Sequence, residues 1–315
     1  MASLREVKDR IGSVRSTLKI TSAMKLVASA KLRKAQKAIE ALRPYEKTLA
    51  EILSAVGPVR PGVPATRHPS SLPAAAGTGF GATNPAAAEP SLSGNAAAEK
   101  SGPTAIIAVA SNSSLCGGFN ANVVRKAVET IRACVGEVEL YPIGRKMADG
   151  LRRAGYTAQG DWNDLIGHPA YEKTAALARS LSDRFLAGEL SRVLLIYTRF
   201  KSASSQEPVV ETWLPFEQKE IPGEGRDDQE AVKYILEPSA EALAAQLLPQ
   251  VLMLKFHAAI LDSAAAEQAA RTIAMQTATD NAEDLLGELT LEYNKGRQQK
   301  ITAEILDLLG GDQNR

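Results

Sequence analysis

From Val251 to Leu309 the chain runs for 59 residues without a proline, and Gly287 and Gly296 stand alone within that run. Read as one helix, it would be about 88 Å long. Helices of that length are rare inside globular domains and usually pair as coiled coils. The pairing stripe is found at the other end of the chain. Leu4, Val7, Ile11, Val14 and Leu18 alternate steps of three and four, as do Met24, Ala28, Leu32, Ala35, Ile39 and Leu42, and later Leu49, Ile52/Leu53 and Val56. This is a heptad-like pattern sustained over many turns. Between Leu18 and Met24 it slips phase, as a stutter would. Gly12 and Pro44 are its weak points, and Pro44 is expected to kink or interrupt the helix. Neither stripe is buried unless the two ends of the chain meet, which an antiparallel coiled coil achieves.

Between the ends lie two zones of different character. Residues 57–103 hold 8 of the 16 prolines, with Gly, Ala, Ser and Thr in irregular order. Such a segment buries too little apolar surface to offset its ordering entropy, and it reads as a flexible low-complexity insertion. Residues 104–226 alternate strand and helix. Strands are expected at 104–110, 138–143, 193–200 and 209–214, and helices at 120–134, 145–154 and 171–187. That alternation describes an open, Rossmann-like α/β sheet. The fold class is therefore α/β, a long antiparallel coiled coil of terminal helices with a central α/β domain. The expected division is 1–56, 57–103, 104–226 and 227–315. In the last zone Ser239 follows a Glu-Pro break and reads as an N-cap, and Pro249 restarts or kinks the helix.

Composition narrows the function. Lys plus Arg number 37 against 36 for Asp plus Glu, so bulk charge points to neither nucleic acid nor an acidic partner. No uninterrupted apolar run approaches the roughly 20 residues of a membrane span. A membrane link would therefore pass through partners. Residues 1–37 are basic and Ser-containing, rather like a transit peptide. Glu6 and Asp9 interrupt that pattern and the amphipathic stripe continues past it, so the segment reads as mature structure. Cys116 and Cys134 fit no metal or C-x-x-C spacing, and a reducing compartment is the default.

The chemistry-bearing motifs are few. The Walker-type loop G-x-x-x-x-G-K-[ST], G-x-G-x-x-G and G-x-S-x-G do not occur. His68, His168 and His257 are isolated, so no catalytic, cofactor-binding or metal-binding residue is assigned. Residues 111–120, Ser-Asn-Ser-Ser-Leu-Cys-Gly-Gly-Phe-Asn, join a strand to a helix. They read either as an anion-binding loop at a helix N-terminus or as a tight turn. In the favoured second reading Gly117 and Gly118 supply conformational freedom and Asn120 caps the helix. Between Arg10 and Lys37 the first helix carries eight basic residues, Lys31, Arg33 and Lys34 among them, and no acid. A solvated face, nucleic acid or an acidic protein partner would each fit. With no aromatics interleaved, base stacking has no platform and nucleic acid is disfavoured. Ala258–Ala278 contains nine alanines, a small-residue seam for close helix approach and a stiff rod.

Several of these segments together resemble one family. Lys19 to Gln36, Lys-Ile-Thr-Ser-Ala-Met-Lys-Leu-Val-Ala-Ser-Ala-Lys-Leu-Arg-Lys-Ala-Gln, resembles the N-terminal helix motif of gamma subunits of rotary F-type ATP synthases. Arg43-Pro-Tyr45 resembles its continuation, and Leu115-Cys-Gly-Gly-Phe-Asn120 the family's L-C-G-G-[LF]-N. Glu267 to Met275, Ala278 to Asn281, Tyr293-Asn-Lys-Gly-Arg-Gln298 and Ile301-Thr-x-Glu-Ile305 are similar to its C-terminal signature. The motifs cover both termini and the middle domain, in order.

The resemblance implies a non-catalytic rotor shaft inside a hexamer of alpha and beta subunits, with the α/β domain against the epsilon subunit and the c-subunit ring. It implies ATP chemistry on the beta subunits, no cofactor on this chain, and a peripheral place on the cytoplasmic side of a bacterial inner membrane. By motif, Arg297, Gln298 and Thr302 would contact a beta-subunit loop. Met24 and Lys25 would lie near the beta subunit's acidic lever, which gives the basic stretch a partner. Two departures stand out. Ser111-Asn-Ser-Ser114 lacks the charge usual before L-C-G-G, and residues 57–103 are longer than the usual connection. A light-regulated form would carry a nearby cysteine pair, whereas a helix over 119–134 sets these two about 20 Å apart, beyond disulfide reach. A coiled-coil scaffold with an α/β module remains the alternative.

Overall fold

The computed structural model describes residues 3–56, 102–167, 169–216, 237 and 239–311. Most of the 57–103 insertion, together with His68 and His168, lies outside them. The first helix, α1, spans Leu4–Val56. Its start is a reciprocal capping box: Glu6 N donates to Ser3 Oγ at 3.3 Å and Ser3 N to Glu6 Oε2 at 2.9 Å. The last helix, α6, spans Ala240–Gly311, 72 residues. Ser239 caps it as expected, accepting from Ala242 N at 3.2 Å.

The two helices pack antiparallel. Val7 and Ile11 meet Leu289, Leu32 and Ile39 meet Leu261, Ala265 and Ala269, and Leu49 and Leu53 meet Val251 and Leu254. Two expectations about the long helices are corrected. First, α1 continues through Pro44 and α6 through Pro249, so neither proline interrupts its helix. A proline inside a helix costs about 3 kcal/mol. Around Pro44, the burial of Leu49 and Leu53 against α6 offsets that cost. Second, the stripe does not slip after Leu18. Thr21 is buried and Lys25 half-buried, so the buried face continues 18, 21, 25, 28, 32 in unbroken steps of three and four. Polar side chains hold the two positions where apolar ones were missing. Thr279 Oγ1 lies 3.0 Å from Thr21 Oγ1, and Lys25 Nζ donates to Gln276 Oε1 at 2.5 Å.

The head is a four-stranded sheet in the order β2-β1-β3-β4, formed by β1 (Thr104–Val109), β2 (Val138–Ile143), β3 (Arg192–Phe200) and β4 (Gln206–Leu214). β1 pairs parallel with β2 and β3, and β3 antiparallel with β4. The prolines within strands, Pro142 and Pro208, fall on the two edges, where a missing N–H costs least. The helices are α2 (Phe119–Ala133), α3 (Arg145–Arg153), the short α4 (Asp164–Gly167), which the sequence pattern did not signal, and α5 (Tyr171–Leu186). Gly144 turns β2 into α3 at φ 96°, where a Cβ would collide with the Ala110 carbonyl oxygen.

Alternate residues of β1 face opposite layers. Ile106 and Ala108 pack with α2 and α3 through Val123, Ala127, Met147 and Leu151. Ile107 and Val109 pack with α5 through Leu177 and Leu181, and with Leu252, Phe256 and Ile260 of α6. The long helix is thus part of the head's own core. One stretch of α6 is apolar and long enough, by composition, to cross a membrane, which the search for uninterrupted apolar runs did not anticipate. Half of it is buried inside this fold, against the sheet and α1, as befits a core helix.

Candidate functional site: the head–shaft junction and the bare tip

The loop after β1 meets α6 at a buried polar knot. Arg271 Nη1 donates to the Ser114 carbonyl at 2.5 Å, and its Nη2 to Ser113 Oγ and to Glu267 Oε1, both at 2.8 Å. Both charged side chains are about nine-tenths buried. Within the same loop Ser111 N and Oγ donate to Asn120 Oδ1 at 3.1 and 2.9 Å, and Asn120 Nδ2 donates to Cys116 Sγ at 3.1 Å. Asn120 therefore braces the loop and does not cap α2, which corrects the sequence expectation. The N-cap is Gly118, with no side-chain cap bond, and of the two glycines only Gly117 has positive φ. Cys116, Phe119 and Ala266 seal the knot with an apolar cluster. The Ser113–Ser114 stretch, which carries no charge of its own, is held by the Arg271 guanidinium from α6.

A second polar group sits where α6 passes between α1 and the sheet. Burial pushes the Asp262 carboxyl up to about 6, against the pull of Arg43 and Arg199 and with a push from Glu46 and Glu211. Tyr197, also on β3, is pushed up to about 12, mainly by burial. His257 is buried on the α5 side, its Nδ1 2.9 Å from Thr174 Oγ1, and burial holds its pKa below the ordinary value. It is a packed histidine.

The residues singled out from the sequence are spread along the shaft. Leu4 lies against Gly296, where a Cβ would come 3.1 Å from Leu4 Cδ2. Residues 297–311 therefore project beyond the start of α1. Arg297, Gln298 and Thr302 are exposed on this bare tip, and Thr302 Oγ1 donates to the Gln298 carbonyl of its own helix at 2.9 Å. Met24 and Lys25 are half-buried about one-third of the way along α1, and Lys25 is engaged by Gln276. Lys31, Arg33 and Lys34 are exposed and form no ion pair among the described residues. Sequence reasoning missed the apolar residues that accompany these charges. Ile20, Leu26 and Val27 are 60%, 68% and 56% exposed on α1, and Ile301, Ile305 and Leu306 are exposed on the tip. For the three α1 residues the signal was available: each lies outside the heptad positions. Exposed apolar patches beside charge mark protein contacts.

The family model for ATP synthase matches residues 3–313. The ATP synthase gamma chain of Phocaeicola vulgatus is 44% identical over 315 residues, covering 99% of both chains. The chain belongs to the ATP synthase gamma-chain family. The gamma chain of Bacteroides fragilis is 43% identical with the same coverage. Among solved structures, a chain of the Euglena gracilis mitochondrial ATP synthase superposes with a TM-score of 0.63 at 18% identity, covering 98% of this chain and 93% of that one. A chain from the central stalk and c-ring of the Tetrahymena thermophila mitochondrial enzyme gives 0.52 at 23%, covering 82% and 99%. Those likenesses carry the fold: paired terminal helices and a mixed-sheet head.

Proposed function

We propose that this gamma chain is the central rotor shaft of a rotary ATP synthase, coupling proton flow through the membrane sector to ATP chemistry on the beta subunits. The observation that supports it best is mechanical. One helix, α6, is at once part of the head's core, one strand of the coiled coil and the whole of the bare tip. Torque applied to the head reaches the tip without crossing a flexible joint. The knot at Arg271 and the antiparallel packing resist slip between head and shaft.

In this reading the coiled coil stands inside the hexamer of alpha and beta subunits, and the head meets the epsilon subunit and the c-subunit ring. Arg297, Gln298 and Thr302 grip a beta-subunit loop. Met24 and the exposed Lys31, Arg33 and Lys34 run past an acidic segment of the beta subunit, with Ile20, Leu26 and Val27 adding apolar contact. Lys25 contributes by fixing α1 to α6. Functional division follows the zones 1–56, 104–226 and 227–315, with 57–103 an insertion. The chain touches the membrane only through its partners, on the cytoplasmic side of a bacterial inner membrane. Affinity purification of the tagged full-length chain tests the assignment. Recovery of a stoichiometric ATPase hexamer supports it; recovery of other partners without ATPase subunits replaces it with a coiled-coil scaffold.

A further inference from the structure

A cavity of about 260 Å³ opens between the start of α2, the β3–β4 hairpin and α6. Three features of its lining converge. First, the N-terminus of α2, a helix of 15 residues, has no side-chain cap and no acid in its first turn. The first N–H groups of a helix need acceptors, and their partial positive charge favours an anion. Second, Gly117 at φ 57° and Gly118 at φ −80°, ψ −2° are successive left- and right-handed residues, the arrangement in which neighbouring amides turn into one concavity. Third, Thr198 also lines the cavity. It is 3% exposed, and its Oγ1 has no hydrogen-bond partner among the described residues. Its cross-strand neighbour is Pro208, which has no N–H to offer. A buried hydroxyl left unsatisfied costs about 1–3 kcal/mol and calls for a ligand or water.

We propose that this cavity binds a small tetrahedral oxyanion of the inorganic phosphate class. The amides at the start of α2, other than Phe119 N, which already donates to the Cys116 carbonyl at 3.3 Å, and the Thr198 hydroxyl act as donors. Asn122, which lines the mouth, adds its Nδ2, and Arg125 Nη2 lies 3.4 Å from Asn122 Oδ1 and brings a positive charge nearby. No carboxylate lines the cavity. No lysine lines it either, so the site suits a bare anion and not a nucleotide. It adjoins the Arg271 knot through Cys116, Phe119 and Ala270, so occupancy stiffens the joint between head and shaft.

The test is titration of the ¹⁵N-labelled full-length chain with inorganic phosphate at constant ionic strength, with chloride as the control. Saturable shifts of the Gly117 and Gly118 amides are expected, with half-saturation on the order of 1–10 mM. Thr198→Val, which keeps shape and removes the hydroxyl, is expected to weaken binding about fivefold, while Thr198→Ser retains it. Asn122→Ala, at an exposed position that spares the fold, gives a second weakened variant. Absence of saturable shifts at Gly117 and Gly118, or shifts centred on Lys31, Arg33 and Lys34, overturns the proposal, as does a Thr198→Val chain that folds and binds like the wild type.

Discussion

Arg271 reaches from the long helix to the Ser114 carbonyl of the β1–α2 loop, 157 residues away in sequence, at 2.5 Å. The same guanidinium holds Ser113 and Glu267. Arg271→Ala removes these bonds and leaves the Glu267 carboxylate buried beside an open loop. Breaking a buried pair from one side costs about 3–5 kcal/mol. Urea denaturation is expected to show a loss of that order. Arg271→Lys, which keeps charge without the planar fork, should recover part of it. A loss below about 1 kcal/mol for the alanine variant would mean that water replaces the guanidinium and that the knot is not structural.

Asp262 makes a pH-dependent prediction of the opposite sign. Its carboxyl is pushed up to about 6 by burial, above the ordinary carboxylate value near 4. The folded chain therefore holds this proton more tightly than the unfolded chain. Wild-type stability from this group rises as pH falls through about 6 and levels off below about 4. Asp262→Asn removes the charge, so it should stabilise the chain above pH 7, by about 1 kcal/mol once solvent screening of a partly exposed group is allowed for. That advantage should vanish near pH 4. Thermal melts of both chains from pH 4 to 8 test this. A wild-type chain as stable as the variant across the range would show that Arg43 and Arg199 fully compensate the buried charge.

Thr21 and Thr279 sit opposite each other within the coiled coil, both buried. Each hydroxyl also reaches its own helix, Thr21 Oγ1 donating to the Leu18 carbonyl at 3.1 Å and Thr279 Oγ1 to the Met275 carbonyl at 2.8 Å, so removing one leaves the other a partner and loses only the bond between them. Thr21→Val or Thr279→Val alone is expected to cost about 1 kcal/mol, and the double variant no more than either single, because the shared bond is lost only once. A double-mutant cycle in urea reads the coupling directly. Additive losses would show that the bond between the two hydroxyls contributes nothing to stability.

These residues also mark where the sequence was legible. The paired helices followed from the apolar spacing of α1 and the proline-free length of α6, because a buried face needs hydrophobic area and 3.5-residue periodicity carries that signal in the residue types. The apparent slip after Leu18 arose because Thr21 and Lys25 are polar, and only their partners on α6, Thr279 and Gln276, reveal them as buried-face residues. Four strands were placed to within a few residues by β-branched runs. Asn120 looked like a cap, since Asn favours that position; its contacts with Ser111 and Cys116 depend on how the loop folds back, which no local pattern encodes. Arg271 stands out in the sequence only as part of a motif, and its role rests on contacts far apart in sequence. Arg297, Gln298 and Thr302 stood out by resemblance, and the fold adds that they lie past the end of α1 on an unpaired stretch.

That position sets up the last prediction. Arg297 and Gln298 are exposed on a segment of α6 with no α1 alongside, and no tertiary contact of the described fold depends on their side chains. Surface substitutions away from packing and caps change stability within about 0.5 kcal/mol, so Arg297→Ala with Gln298→Ala should leave the chain folded and able to assemble. The consequence should appear only in the complex. Arg offers a planar fork to carboxylates, and Gln offers both a donor and an acceptor. Hydrogen bonds to charged groups contribute about 1.5–3 kcal/mol, and if they form in the rate-limiting rotary state their loss raises that barrier by the same amount. A drop in ATP turnover of about tenfold or more is then expected. Thr302→Ala is expected to do less, because its hydroxyl is already turned to the Gln298 carbonyl. Steady-state ATPase and proton pumping by complexes of matched subunit stoichiometry measure this. Unchanged turnover with unchanged pumping in the double variant would reduce the two residues to solvent-facing positions and move the grip to the apolar side of the tip, at Ile301 and Ile305.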